Sequence, residues 1–184
     1  RRGVPGERSR PADRLSGALC VSPAYTAWVP SRESIRLENL MADYIPSPVE
    51  WVRKQVELYE SSGGTQGTTL RETGLPVIIV TNTGNKTGAI RKTPLMRVQD
   101  GANYVLVGSV GGAPKNPVWV YNLRTNPAVE LRDGTEVQPM RVREVKDAAE
   151  RARLWELAVA AFPPYADYQK RTTRTIPLFV AEPV

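Results

Sequence analysis

The sequence predicts an α+β protein that is mainly β, with an antiparallel sheet curled into a barrel and helices packed outside it or closing one end. Runs of β-branched residues outnumber the helical segments, and tight turns join most of these runs. Asp100-Gly101 and Asp133-Gly134 are hairpin signals, whereas a doubly wound parallel sheet would need helical crossovers there. A parallel sheet is therefore disfavoured.

The chain of 184 residues divides near Met41. Residues 1–40 hold seven arginines, no lysine and four acidic residues, and their apolar residues show no lasting periodicity. The following segment, MADYIPSPVEWVRKQ, resembles the N-terminus of a natural protein. We therefore expect residues 1–40 to be a disordered leader or translated upstream sequence, and residues 41–184 to form a single domain. A functional basic arm is the alternative for residues 1–40.

The first half of the domain predicts one helix followed by three strands. Residues 47–50 (SPVE) form a capping box with proline at the first helical position. A stripe at helical spacing follows, made by Val49, Val52, Val56 and Tyr59. Strands are expected at residues 76–82, 90–99 and 103–110. Pro94 cannot donate a hydrogen bond, so it predicts a bulge or an edge in the second strand.

The second half predicts two further helices, a hairpin, a short helix and a closing strand. The first helix begins at Pro117, with Asn116 as its N-cap, and ends near residues 126–127. A hairpin follows around residues 133–134. The long second helix begins at residues 147–150 and ends before residues 163–164, where two prolines stop it. The short helix lies in YADYQKRTTRT, and IPLFVAEP forms the closing strand.

Composition excludes several kinds of chemistry. The chain contains no histidine and one cysteine, Cys20, so no Ser-His-Asp or Cys-His unit, imidazole zinc site or intrachain disulfide can form, and we predict no metal site. Half of the net charge of +6 lies in residues 1–40, so the domain is only mildly basic and no nucleic-acid partner is expected. No apolar run approaches the ~20 residues of a membrane span, and no signal peptide is evident. A cytoplasmic protein is expected.

Three segments carry candidate binding chemistry. TNTGNKTGAIRKTPL (81–95) places Lys86, Arg91 and Lys92 around two glycines, which lets the backbone approach a phosphate, although the spacing does not fit a Walker A loop. A solvated basic hairpin explains this segment equally well. GGAPKNPVWVYNL (111–123) joins a glycine pair and a lysine to a helix start, where anions bind well. Trp119 in this segment could wall a flat ligand beside Asn122, or could simply belong to the core.

FPPYADYQKRTTRTIP (162–177) is the third segment, with Tyr165 and Tyr168 three residues apart beside basic side chains. The tyrosines could stack on a ring and donate a proton, or could merely cover the mouth of the barrel. A hydride-transfer site suits this chain because a cofactor carries the reactive bond and the protein needs no histidine, cysteine or metal.

These segments resemble the deazaflavin-dependent nitroreductase family of actinobacteria, and the likeness runs from about Pro46 to Pro183. The resemblance implies an antiparallel split β-barrel like that of the flavin-mononucleotide-binding oxidoreductases, with coenzyme F-420 as the cofactor. It carries contacts on the phosphate-bearing side onto Asn85, Lys86, Thr87, Arg91, Lys92, Thr93, Pro94, Leu95 and Met96. It carries contacts around the ring onto Val107, Gly108, Ser109, Val110, Val118, Trp119, Asn122 and Tyr165.

The resemblance further implies hydride transfer from the reduced cofactor to a quinone, a nitroaromatic or an activated alkene. Ser109, Tyr165 and Tyr168 would polarise or protonate the acceptor oxygen. Two positions depart from the family: Val110 stands where some members have lysine, and Phe162 replaces a tyrosine. We expect cofactor binding to survive both changes, whereas nitro reduction is less secure.

Other functions stay open at this point. The same barrel could bind flavin mononucleotide, or the chain could be a non-enzymatic cofactor-binding or RNA-binding module. Related barrels often pair, so a homodimer is a candidate assembly. The helix over residues 47–60 could also attach the protein peripherally to the inner face of the plasma membrane, although one apolar stripe more often faces its own barrel.

Overall fold

The structure is a computed structural model that describes residues 43–184, so the predicted leader and the start at Met41 lie outside the described residues. Helices and strands follow one another in the order α1 (Glu50–Ser61), β1 (Val77–Thr83), β2 (Ile90–Met96), β3 (Gln99–Asp100), β4 (Asn103–Val107), α2 (Val118–Thr125), β5 (Ala128–Asp133), β6 (Glu136–Glu144), α3 (Ala148–Ala161), α4 (Pro164–Lys170) and β7 (Leu178–Pro183). Short 3-10 turns lie at Arg71–Thr73 and Val110–Gly112.

The seven strands form one antiparallel sheet in the order β2-β1-β5-β6-β7-β4-β3. The turns at residues 101–102 and 134–135 join β3 to β4 and β5 to β6, which confirms both hairpin predictions. β2 lies at one end of this order, and Pro94 pairs with Ile79 within it. An end strand tolerates a proline because its outer side needs no donor.

The sheet curls until its two ends meet. β2 and β3 are consecutive in the chain but lie at opposite ends of the strand order. At the corner between them, the Arg97 amide donates to the Pro76 carbonyl (2.9 Å), and the Val105 amide donates to the Val98 carbonyl (2.8 Å). Arg97 and Val98 are adjacent in the chain, yet their hydrogen bonds join opposite ends of the sheet. The single strand predicted over residues 90–99 is therefore wrong, because the chain breaks at this corner into two strands.

The two faces of the sheet are covered differently. Ile78 and Val80 of β1 face a cluster that also holds residues of β4, β5, β6, β7 and α2, so this face is the barrel interior. Val77 and Ile79 point the other way, into a cluster with residues of α1, α3 and α4. Three helices thus cover the outside while α2 packs on the interior, which agrees with the arrangement predicted from the sequence.

One helix start is as predicted and two are displaced. Asp147 caps α3 by accepting a hydrogen bond from the Glu150 amide (2.8 Å). α1 begins only at Glu50, with Val49 in the N-cap position. Asn116 does not cap α2, since its Oδ1 accepts a hydrogen bond from Arg174 (2.7 Å). No helix in residues 43–184 is long and apolar enough to cross a membrane.

Candidate active site

The loop between β1 and β2 (residues 84–89) is held by its own backbone and by α2. The Gly84 amide donates to the Ala89 carbonyl (2.8 Å), and the Gly88 amide donates to the Gly84 carbonyl (2.9 Å). The Asn85 amide donates to Oδ1 of Asn122 on α2 (3.0 Å). Lys86 at the loop tip is exposed and forms no ion pair with any residue that the structure describes. The backbone is therefore fixed while the lysine side chain stays available to a ligand.

A pair of buried asparagines ties this loop to the barrel. Nδ2 of Asn122 donates to Oδ1 of Asn82 (2.8 Å), and both residues are only 2% exposed. The Asn85 amide can only donate, so it fixes the orientation of Asn122 and thereby that of Asn82. Nδ2 of Asn82 is then left without a hydrogen-bond partner in the described part of the chain. A buried donor of this kind costs about 1–3 kcal/mol unless a ligand satisfies it.

The two basic residues of β2 lie on opposite faces of the sheet. Arg91 pairs with Asn82 and Lys92 pairs with Thr81 across the β1–β2 ladder. Lys92 lies 2.8 Å from a Glu60 carboxylate oxygen on the α1 side, where Glu60 also meets Arg132. Arg91 donates to the Ile45 carbonyl (3.1 Å) and has no carboxylate partner within residues 43–184. Of the two basic residues, only Arg91 lies on the same face of the sheet as Asn82.

The remaining predicted contacts on β2 divide in the same way. Thr93 and Leu95 share the face of Arg91, and Leu95 packs against the barrel interior. Pro94 and Met96 share the face of Lys92, and Met96 belongs to the outer cluster. Thr87 serves the loop itself, because its hydroxyl accepts a hydrogen bond from the Ala89 amide (3.3 Å).

β4 ends in an unusual turn at the predicted ring contacts. Val107, Gly108 and Ser109 are buried, whereas Val110 is 52% exposed with φ +45°. Ser109 has right-handed helical angles just before Val110, and such a pair aims successive amides at one point, where an anion or a carbonyl oxygen can bind. The Ser109 hydroxyl makes no hydrogen bond to the residues described, so it is available to a ligand. We name residues 109–112 the serine turn.

Arg174 is one of the basic residues near the two tyrosines, and the sequence analysis assigned it no contact. Its Nε donates to the Ala113 carbonyl (2.9 Å) and its Nη1 to Oδ1 of Asn116 (2.7 Å). Its Nη2 donates to the carbonyls of Gly108 (3.0 Å) and Ser109 (2.8 Å). One guanidinium thus joins the end of β4 to the loop before α2. The partners lie about sixty residues away in sequence, a separation that no local pattern reveals.

The two predicted tyrosines lie in an aromatic cluster. The Tyr165 ring lies 4.9 Å from that of Phe162 in an edge-on arrangement and 6.2 Å from that of Tyr168. Tyr165 is 4% exposed, and burial raises the pKa of its phenol, so the group stays protonated at neutral pH. Its hydroxyl forms no hydrogen bond with the described residues. Tyr168 is half-buried beneath the guanidinium of Arg171.

On α2, the predicted contacts face in different directions. Trp119 is 7% exposed and packs in the barrel interior 5.8 Å from the ring of Phe179, so most of its surface serves the core. Val118 is 71% exposed, and Tyr121 one turn later is also exposed. Val118 therefore offers the apolar surface on this helix that a ligand can reach.

The three segments predicted from the sequence meet in one region. The Asn85–Asn122 bond joins the β1–β2 loop to α2, and Arg174 joins the loop before α2 to Ser109. A side chain at Gly112 would contact the backbone of Tyr168 on α4, which shows how closely the serine turn approaches that helix. Lys92, Pro94 and Met96 face the other side of the sheet.

The chain is similar to proteins of one enzyme family. The model of a family described as F420H(2)-dependent quinone reductase matches residues 51–183. A curated F420H(2)-dependent quinone reductase of Mycobacterium tuberculosis (strain ATCC 25618 / H37Rv) is 36% identical over 111 residues, 57% of this chain and 72% of that protein. A solved F420-H2 dependent reductase is 46% identical, covers 58% of this chain and 94% of its own, and has a TM-score of 0.55. A solved domain-swapped dimer is 44% identical, covers 74% and 100%, and has a TM-score of 0.57.

These matches confirm the resemblance, the split β-barrel and the coenzyme F-420 cofactor expected from the sequence. The matched family is a family of enzymes, and the activity in its description is quinone reduction. The chain belongs to the F420H(2)-dependent quinone reductase family.

Proposed function

We propose that this chain reduces a quinone with electrons from reduced coenzyme F-420, and that nitroaromatics and activated alkenes are further acceptors. Family membership supports the quinone and the cofactor. The observation that supports the site assignment is the buried Ser109, whose hydroxyl has no hydrogen-bond partner among the described residues, in a turn that approaches Tyr168 at Gly112 and is held by Arg174. When bound, the reduced deazaflavin supplies the hydride, and the chain itself binds, orients and donates protons.

The residues present fit an anionic, planar cofactor. Lys86 and Arg91 have no carboxylate partners in the region described, so both can neutralise the phosphodiester and glutamate carboxylates. The unpaired Nδ2 of Asn82 is a buried donor on the same face as Arg91. The hydroxyl of Ser109 and the amides of Val110 and Gly111 offer donors to the carbonyl edge of a ring, whereas the Ser109 and Gly112 amides donate to Val107 and Ser109.

Protonation of the acceptor falls to Tyr165, Tyr168 and Ser109. A quinone oxygen gains negative charge as the ring is reduced, so a nearby hydroxyl that donates a hydrogen bond stabilises the transition state. Burial raises the pKa of Tyr165, so its hydroxyl stays protonated and can donate a hydrogen bond to the acceptor oxygen. Phe162 and the exposed side chains of Val110 and Val118 supply apolar surface for the quinone ring.

The test mixes the full chain with reduced coenzyme F-420 and menadione and follows reoxidation of the cofactor by absorbance. We expect turnover, and we expect Tyr165→Phe to lower kcat by about a hundredfold, the effect of removing one hydrogen-bond donor to a developing oxyanion. Flavin mononucleotide, reduced and oxidised, is the parallel control. Activity with the flavin alone would overturn the deazaflavin assignment, and binding without any acceptor-dependent reoxidation would favour a cofactor carrier.

We also propose that residues 41–184 act as one domain and that two copies pair, as a solved relative described as a domain-swapped dimer does. Light scattering on the eluting protein measures the mass directly. A mass of one chain across micromolar concentrations would overturn the dimer.

Peripheral contact with the cytoplasmic membrane face is a further proposal for the same enzyme. Val49, Trp51 and Leu58 of the α1 region are exposed. Arg53 lies among them without a carboxylate partner in the described residues, whereas Lys54 is paired with Glu50 (2.7 Å). The exposed apolar side chains beside this arginine suit the surface of an anionic membrane that holds a lipophilic quinone. The protein should sediment together with phosphatidylglycerol vesicles, and Trp51→Ser should lower the fraction of protein that does so. Equal recovery with neutral vesicles, or an unchanged variant, would contradict the proposal.

A further inference from the structure

We propose that Arg174 is a positioning residue, which holds the serine turn in the conformation that the proposed reduction requires. This inference rests on the proposed function, because it assigns the turn a role in binding the cofactor ring. Arg174 acts through Gly108, Ser109 and Ala113, and no direct contact with substrate is assigned to it.

The geometry of the guanidinium supports a clamp. Its four hydrogen bonds end on Gly108 before the serine turn, on Ser109 at its start, and on Ala113 and Asn116 after it. The acceptors are carbonyl and amide oxygens, and no carboxylate within residues 43–184 pairs with this cation. A lysine at this position could not reproduce the pattern, since its ammonium has three donors on one atom and lacks the planar fork.

The turn itself needs a clamp. Val110 has φ +45°, a conformation that a β-branched residue rarely adopts, and Gly111 and Gly112 follow with φ +67° and +83°. Strain of this kind persists when surrounding contacts fix the backbone, and it concentrates at ligand-binding sites. The amides of Gly112 and Ala113 donate to the carbonyls of Ser109 and Val110, and Arg174 fixes the first of these carbonyls.

A second residue sets the position of Arg174. Gln169 on α4 donates to the Arg174 carbonyl (2.8 Å) and accepts from the Ile176 amide (3.0 Å). The helix that carries Tyr165 and Tyr168 is thereby coupled to the serine turn through Arg174. Arg174 and Gln169 thereby hold the two tyrosines and Ser109 in fixed positions relative to one another.

The experiment compares the full chain with Arg174→Lys, Gln169→Leu and the control Arg141→Lys, which changes an exposed arginine of β6. Hydrogen exchange measured by mass spectrometry follows the Gly112 and Ala113 amides, and kinetics give kcat, the KM for menadione and the Kd for oxidised coenzyme F-420. We expect Arg174→Lys to speed exchange at both amides and to lower kcat by about tenfold to a hundredfold, the effect of a small misplacement in a site. Gln169→Leu should change the same quantities less, and Arg141→Lys should match the wild type.

Two results would overturn the proposal. If Arg174→Lys lowers the melting temperature but leaves kcat and exchange in the turn unchanged for the folded fraction, the arginine is merely structural. If its only effect is a weaker Kd, with kcat unchanged at saturating cofactor and Gln169→Leu silent, Arg174 is a cofactor ligand. Adding Val110→Gly to Arg174→Lys should restore part of kcat, because glycine holds the turn without strain. Absence of turnover in the wild type would instead overturn the proposed function, and exchange would still test the clamp.

Discussion

Arg91 and Lys92 are adjacent basic residues with different surroundings, so they form a matched pair for testing the phosphate site. We expect Arg91→Ala to weaken coenzyme F-420 binding by ~1.5–3 kcal/mol, the range for a charged hydrogen bond. Lys92→Ala should leave affinity nearly unchanged, because its ammonium is engaged by Glu60 on the other face. Fluorescence titration measures both. Equal losses in the two variants, or none in Arg91→Ala, would contradict the site assignment.

Because of Tyr104 on β4, the free energy of unfolding should decrease as the pH rises into the alkaline range. Burial, and then the hydrogen bond that its hydroxyl donates to Asp133 (2.9 Å), raises the pKa of Tyr104 to about 12. An unfolded tyrosine titrates near pH ~10. Between these values the folded protein keeps a proton that the unfolded chain loses. The stabilisation is therefore complete below pH ~10 and is lost as the pH rises through ~12.

Replacing this tyrosine tests that conclusion. Tyr104→Phe should lower the free energy of unfolding at pH 7 by about 1 kcal/mol, the net value of one hydrogen bond. It should also make the decline in stability between pH ~10 and ~12 shallower than in the wild type. Urea unfolding at a series of pH values measures both effects. Parallel curves for the two proteins would show that other groups cause the alkaline decline.

At the scale of elements, Asn122 joins α2 to the β1–β2 loop. Asn122→Ala leaves the Asn85 backbone amide and the side-chain Oδ1 of Asn82 without their partner, so we expect a loss of about 2–4 kcal/mol in stability. A looser loop should also raise the Kd for the cofactor by about tenfold, equivalent to ~1.4 kcal/mol. Asn126→Ala, at the end of the same helix, is the control. Unchanged stability in Asn122→Ala would mean that the asparagine pair does not anchor the loop.

The element scale also shows where sequence patterns suffice. The hairpins at residues 100–101 and 133–134 and the start of α3 at Asp147 were predictable, because turn and cap chemistry lies within four neighbouring residues. Asn116 carries the same local signal for a cap, but Arg174 takes its side chain from far away in sequence. The break between β2 and β3 was equally hidden, since only closure of the sheet requires it.

In the candidate site, too, some features follow from local sequence and others depend on contacts that are distant in sequence. The loop glycines, the serine turn and the tyrosine segment were found from local composition and family resemblance. Which way each side chain points depends on register, so the separation of Arg91 from Lys92 and the burial of Trp119 needed the folded sheet. Arg174 shows the limit most clearly. Its role exists only where three distant segments converge.

On the scale of the whole molecule, the loop after α1 lies against the backbone of the β5–β6 turn. A side chain at Gly64 would overlap the Gly134 carbonyl in the β5–β6 turn, next to the Tyr59 hydroxyl that accepts from the Gly134 amide (2.8 Å). Gly64→Ala should therefore cost about 3 kcal/mol or more. Gly63→Ala is the control, since it has a similar positive φ but open space, and should cost about 1 kcal/mol. Equal melting temperatures would show that the helix docks loosely.

The place of β7 in the sheet affects how the chain folds. β7 lies between β6 and β4, so β4 and its partner β3 are joined to the other strands by sheet hydrogen bonds only once β7 is in position. The barrel therefore closes through contacts distant in sequence, which makes folding slow and leaves the edge of β4 open to aggregation until β7 has paired.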